Sequence, residues 1–243
     1  MIRKYFEKIR ERSWKIYEKY YGQNYKHHNE RYREEILRRL GPHTVLLDAG
    51  AGEMNFTKEF APNVRLAVGT DFGPMKPVTK GAVAVQSNLE HLPFRDASVD
   101  IVISMSVVEH LTNPKPAFRE LSRVLKPKGV LIAQTPSKYD YVSLLAHWTP
   151  FWFHCWTLSR LLDRRVEDIF PTCFKANTRR DMLACLEASQ LIPRKIIFFN
   201  QYPAYLMFWP LLFRLGILYE RLTSRYEALA QLRGWLLVVA EKG

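Results

Sequence analysis

The sequence is poor in cysteine, in acidic side chains and in long apolar runs. Cysteine occurs three times in 243 residues, at Cys155, Cys173 and Cys185. The three are far apart, odd in number and lack metal-ligand spacing, which argues against a disulfide framework and predicts reduced thiols in a cytosolic protein. No stretch reaches the ~20 apolar residues of a membrane-crossing helix. The N-terminal MIRKYFEKIRERSWK is charged throughout and has no apolar centre, so it does not read as a secretory signal. Asp and Glu number 24 against 36 Lys and Arg, a net charge of +12. The imbalance lies at the ends. Residues 1–41 carry twelve basic and six acidic side chains, residues 144–243 thirteen and eight, and the stretch between is nearly neutral. Such ends suit a polyanion, either nucleic acid or an anionic membrane face, or simply a solvated surface.

What is present is the material of one globular α/β domain, with 47% hydrophobic residues and enough length to bury a core. Residues 2–21 place Ile2, Tyr5, Phe6, Ile9, Ile16, Tyr17 and Tyr20 at helical spacing. A second helix is expected over 29–40, burying Tyr32, Ile36, Leu37 and Leu40 and stopped by Gly41-Pro42. Strands are then expected at 45–50, 64–71, 82–86, 99–105, 129–136, 194–201 and 234–242. Helices are expected from 53, from Asn113-Pro114 to KPKG (126–129), and from Thr178, capped with Asp181 three residues on. Alternating strands and helices predict a Rossmann-like, seven-stranded, mostly parallel sheet with helices on both faces. Around the 42–136 core lie N-terminal helices (1–41), an insertion after the fifth strand (137–176) and a helical insertion between the sixth and seventh (203–232).

The chemistry starts at VLLDAGAGEMN (45–55). A strand ends in Asp48 and turns through Gly50 and Gly52 toward a helix, which would let a backbone approach a ligand with a negative group. The dinucleotide fingerprint needs a third glycine at 55, where Asn55 stands, so a dehydrogenase is disfavoured. Asp71 closes the second strand 19 residues after Gly52, the placement of an acid that accepts both hydroxyls of a ribose.

The order VLLDAGAGEMN, GTDFGPM, LEHLPF, VDIVIS, VVEHL and FRELSRVLKPKG closely resembles class I S-adenosylmethionine-dependent methyltransferases, particularly the group related to ubiquinone and menaquinone biosynthesis enzymes. The resemblance covers residues 45–136. It implies that Asp48, Gly50, Ala51 and Gly52 hold the amino-acid part of S-adenosyl-L-methionine. It implies Asp71 for the ribose, Phe72 for the adenine pocket, and Asn88 and Leu89 for the adenine edge. Ser104 and Met105 would border the sulfonium, and S-adenosylhomocysteine would be the product. Relatives usually carry aspartate where Asn88 stands, and an amide oxygen can still accept from the adenine amino group. Ser106 replaces an acid of the metal-binding pattern MExxEH, so no obligatory metal is expected.

For the chemistry, His110 is the leading general base, with Glu109 beside it. The acceptor is expected to be a small molecule attacked through O or N, hydrophobic or lipid-linked. Tyr21, His154, Trp156 and Tyr202 are candidate substrate residues from the insertions. Residues 202–219 are almost wholly apolar or aromatic, and with Trp148, Trp152, Trp156 and Trp209 they suggest an interfacial surface. The expected setting is cytoplasmic and peripheral to an anionic membrane. The competing view is a lid that buries these aromatics. An RNA methyltransferase is a second reading, drawn from the charge and weakened by the lack of a recognisable RNA-binding module. A non-catalytic cofactor-binding scaffold is a third.

Overall fold

The computed structural model describes residues 2–22, 25–75, 81–148 and 171–243, with backbone alone at 2–10 and 146–148. Strands β1 (Val45–Ala49), β2 (Leu66–Asp71), β3 (Ala82–Gln86), β4 (Val99–Met105), β5 (Leu125–Pro136), β6 (Leu191–Phe199) and β7 (Trp235–Lys242) form one seven-stranded sheet in the order β3-β2-β1-β4-β5-β7-β6. The run from β3 to β5 is parallel throughout. Its centre is apolar because helices would otherwise have nothing to pack on: Leu46, Val102, Ile103, Leu131 and Ile132 are all completely buried. The order reverses at β1, between β2 and β4, and in open α/β sheets ligands sit at the carboxyl ends of strands at that point.

The described residues fall into two compact units. The larger comprises Tyr32–Lys138, Phe170–Ile197 and Leu236–Gly243, and so most of the sheet. The smaller gathers the described parts of Met1–Arg31, Tyr139–Ile169 and Phe198–Trp235. In it, helix α1 (Ile2–Tyr20) meets the helix Pro210–Arg225 through Ile16, Phe213 and Ile217, with Tyr17, Tyr21, Tyr202 and Met207 packed around them.

Most expected elements appear with shifted ends. Helix α2 runs His28–Leu37 and buries Tyr32 and Ile36, one turn apart, while Leu37 is half exposed one step round the helix. Helix α3 is only Asn55–Phe60, because Met54 adopts a left-handed φ of 61° and delays its start. Helix α4 (Pro114–Val124) has proline in its first turn as expected, but the Asn113 side chain makes no capping bond. Its expected tail, KPKG, instead belongs to β5, and Lys128 takes φ 62° where the β4–β5 register shifts. Helix α5 is Tyr141–Trp148. In α6 (Arg179–Glu187) the Asp181 N–H donates to Thr178 Oγ1 at 3.1 Å, and that hydroxyl donates to Asp181 Oδ2 at 2.8 Å, so the expected capping box is formed. Strand β6 starts three residues before its expected start, and the 203–232 stretch is helical mainly in α7 (Pro210–Arg225), between 3-10 turns at Ala204–Leu206 and Glu227–Leu232.

Candidate active site

The carboxyl ends of β1, β2 and β4 bring most of the expected cofactor residues together within the larger unit. Gly50 has φ 82°, and a Cβ there would sit 2.1 Å from Val107 Cγ2, so only glycine lets this turn pass under Val107, two residues past β4. Gly52 has φ 50°, and a Cβ there would meet nothing within 4 Å. The first glycine is needed for packing. The second opens onto free space, where a ligand can approach the backbone.

The loop is tied to β2. The N–H groups of Gly50 and Ala51 both donate to Thr70 O, at 2.8 and 2.9 Å. Gly52 N–H donates to Asp71 Oδ2 at 2.8 Å, and Gly73 N–H donates to Asp71 Oδ1 at 3.0 Å. All three loop N–H groups, of Gly50, Ala51 and Gly52, are thus engaged by β2. Each Asp71 oxygen keeps a further lone pair, enough for a vicinal diol. Phe72 beside it is 78% exposed, with a ring face open to stacking. Asn88 is exposed and accepts from the Glu90 N–H at 2.9 Å through Oδ1, and Leu89 next to it is half-buried.

Asp48 is buried and accepts a hydrogen bond from Thr57 Oγ1 at 2.6 Å. Burial pushes its carboxyl up to about 6. The Thr57 bonds work against this and the nearby Asp71 charge adds to it. Ser104 is buried at the end of β4 and donates to Ala49 O at 2.9 Å, which ties β4 to β1; Met105 beyond it is half-buried. Ser106 is held at φ 56° and its N–H donates to Gln134 O at 2.9 Å. A non-glycine residue in that conformation costs roughly 1–3 kcal/mol and recurs at ligand-binding turns.

Glu109 and His110 follow in a 3-10 turn, Val108–His110. Glu109 is buried, and burial raises its carboxyl above the usual range despite the opposing His110 charge. It accepts from Thr135 Oγ1 at 2.8 Å; Asn177 Nδ2 in turn donates to Thr135 Oγ1 at 2.7 Å and to Pro136 O at 2.8 Å. The backbone N–H groups of Cys173 and Phe174 donate to Glu109 O. Glu109 is thus an anchor for the 171–178 segment. His110 Nδ1 lies 2.8 Å from Pro171 O, and its Nε2 lies 3.9 Å from Glu109 Oε1. A carbonyl can only accept, so Nδ1 carries the hydrogen, which in the neutral ring puts the lone pair on Nε2. That is the tautomer a proton acceptor needs.

Several residues here were not legible as site residues. Helical spacing marks Tyr32 as buried but does not say that its phenol lies near Asp48, whose charge adds to burial in raising it. Gln134, opposite Met105 in the β4–β5 register, is fully buried, and neither of its amide atoms has a hydrogen-bond partner among the described residues. Thr57, Thr135 and Asn177 are polar residues whose partners lie far away in sequence. Of the expected substrate residues, Tyr21 and Tyr202 sit together in the smaller unit, in a cluster with Tyr17 and Tyr25. Tyr21 Oη donates to Glu220 Oε2. His154 and Trp156 lie outside the described residues, as do Trp152 and the Trp148 side chain.

The sheet order, the glycine turn and an acid at the end of β2 define a class I methyltransferase fold. Residues 47–133 match the family model described as a methyltransferase domain. The "Probable S-adenosylmethionine-dependent methyltransferase" of Mycobacterium tuberculosis is 30% identical over 119 residues, covering 46% of this chain and 43% of the relative. A tRNA (carboxymethyluridine(34)-5-O)-methyltransferase of Arabidopsis thaliana is 34% identical over 122 residues, covering 47% of this chain and 30% of its own length. The chain thus spans less than half of these curated relatives. Among solved structures, a chain of the complex between the Haloferax volcanii Trm112 methyltransferase activator and a methyltransferase shares the fold with a TM-score of 0.60. It is 18% identical over 99% of this chain and 97% of that one. Geranyl diphosphate C-methyltransferase from Streptomyces coelicolor, in complex with Mg2+, geranyl diphosphate and S-adenosyl-L-homocysteine, gives a TM-score of 0.55 at 16% identity, over 88% of this chain and 79% of that one.

Proposed function

We propose that the chain is a methyltransferase that moves a methyl group from S-adenosylmethionine to an oxygen or nitrogen of a small, hydrophobic or lipid-linked acceptor. The observation that carries the cofactor half is the Asp71 carboxylate, fixed by two backbone N–H groups at the rim of the open space over Gly52. The residues fit the cofactor: Asp71 would take the ribose hydroxyls and Phe72 the adenine face. The buried side of the loop, with Asp48 and the unpartnered Gln134 amide, is polar enough for an amino-acid moiety. When bound, the cofactor supplies a methyl carbon already activated by its sulfonium.

What the chain must add is position and a proton acceptor. Orientation alone supplies ~7–11 kcal/mol of such a barrier. His110 Nε2 takes the proton from an acceptor hydroxyl or ammonium. Glu109 is the positioning residue: it fixes the segment carrying Pro171, whose carbonyl sets the His110 tautomer. The apolar 202–219 stretch supports a hydrophobic acceptor and, with the basic charge of the chain, an anionic membrane surface as the place where it is met.

RNA is the second reading, favoured by the net charge of +12 and by the Arabidopsis relative. The test is transfer of a labelled methyl group to membrane extract, soluble metabolites and RNA in parallel. Label in the organic-extractable fraction, reduced at least tenfold by His110→Ala, is the expected result. Label in RNA alone would replace this acceptor class with the second reading.

A further inference from the structure

Helix α7 is buried on one side through Phe213, Gly216, Ile217, Glu220 and Thr223. Its opposite side carries Leu211, Leu215, Leu218 and Leu222, spaced as i, i+4, i+7 and i+11, which aligns them in one stripe. These leucines are 58%, 53%, 62% and 50% exposed, an unusual surface for a helix packed into a folded unit. Phe208 and Trp209 at its start and Tyr226 just past its end are also exposed, so aromatic side chains flank the stripe at both ends.

The charges beside the stripe have one sign. Arg214, Arg221 and Arg225 repeat at i, i+7 and i+11, are all exposed, and align along one flank of the leucines. Arg221 lies over the Tyr20 ring at 4.7 Å and also lines a cleft of about 300 Å³, which Arg31 and Glu220 share. Glu220 does not cancel this charge at neutral pH, since burial pushes its carboxyl up to about 8. No described helix is long and apolar enough to cross a membrane. A leucine stripe with an arginine flank and aromatic ends matches an anionic leaflet on every count: apolar toward the acyl chains, cationic toward the headgroups, and Trp and Tyr at the boundary between them.

We propose that α7 is a membrane-docking helix that lies in the plane of an anionic lipid surface, with Leu211, Leu215, Leu218 and Leu222 inserted and Arg214, Arg221 and Arg225 at the headgroups. The inference deepens the hydrophobic-acceptor reading and rests on it for its purpose, but docking is measured without cofactor or acceptor. Failure to dock and failure to transfer methyl groups are therefore separate results.

The experiment is co-sedimentation of the purified chain with vesicles of phosphatidylcholine, alone or mixed with phosphatidylglycerol, at low and high salt. Binding should favour the anionic vesicles and weaken with salt. Leu215→Glu/Leu218→Glu should lower it at least about tenfold. Replacing Arg214, Arg221 and Arg225 by Gln should remove the preference for anionic lipid, about fivefold per arginine. Circular dichroism reports whether each variant is folded. The milder Leu218→Ser, with a several-fold loss expected, serves if the double variant is not. Absence of binding to anionic vesicles overturns the proposal, as does a folded leucine variant that binds like the parent. Sedimentation velocity covers the other occupant: self-association abolished by Leu215→Glu/Leu218→Glu, without vesicle binding, would assign the stripe to a second copy of the chain and also overturn it.

Discussion

Gly50 and Gly52 look equivalent in the sequence and are not equivalent in the fold. At Gly50 an added methyl collides with Val107 and the backbone is left-handed, so Gly50→Ala should cost about 2–4 kcal/mol of stability. At Gly52 the space is open, so Gly52→Ala should cost only about 1 kcal/mol. The added methyl there projects to where the ligand would lie, and S-adenosylmethionine affinity should fall at least tenfold. Chemical denaturation and calorimetric titration of the two variants separate these effects. Equal stability loss with equal binding loss would show that the two positions have been read wrongly. The same contrast separates Glu109 from His110. The two are adjacent, yet one is a buried anchor and the other presents a ring nitrogen.

At the scale of elements, the 171–178 segment is held to the carboxyl end of β5 by Asn177, Thr135 and Glu109. Asn177→Ala leaves buried acceptors unpaired and should cost about 1–3 kcal/mol in thermal or denaturant unfolding. Because Pro171 O sets the His110 tautomer, kcat should fall and its pH profile shift, while cofactor affinity stays within about twofold. An unchanged pH profile would reduce the network to a structural role. The strands themselves were plain in the sequence: VDIVISM and GWLLVVAEK are apolar enough to be nothing but sheet. The ends were less plain, since a left-handed Met54 or Lys128 has no signature in residue type. Thr178 and Asp181 were legible as a cap because the box is local. The Glu109–Thr135–Asn177 chain was not, because it joins residues 26 and 42 positions apart. In the cofactor loop, residue types pointed to the site, but only coordinates show that the loop's N–H groups are spent on Thr70 and Asp71.

At the scale of the whole molecule, four buried carboxyls among the described residues share a property. Burial raises Glu109, and pushes Asp48 and Asp140 up to about 6 and Glu220 up to about 8. In each case the folded chain holds the proton more tightly than the unfolded chain, whose carboxyls titrate near 3.9–4.3. Their contribution to stability is therefore full below about 4 and is lost as pH rises through the folded values. Glu35 and Glu120, held below the usual range by basic partners despite burial, act in the opposite sense and lose their contribution only in stronger acid. Melting temperature should thus fall from pH 5 to 9, and Glu220→Gln should flatten the upper part of that slope. A flat profile in the parent chain would contradict this. The central claim, that the β1–β2 end of the sheet is a cofactor site built on Asp71, is tested most directly by titrating S-adenosylmethionine into the purified chain and into Asp71→Ala. Saturable binding to the parent is expected, weakened at least tenfold by the substitution while the circular dichroism spectrum stays the same. No saturable heat, or equal affinity in the two proteins, would contradict it.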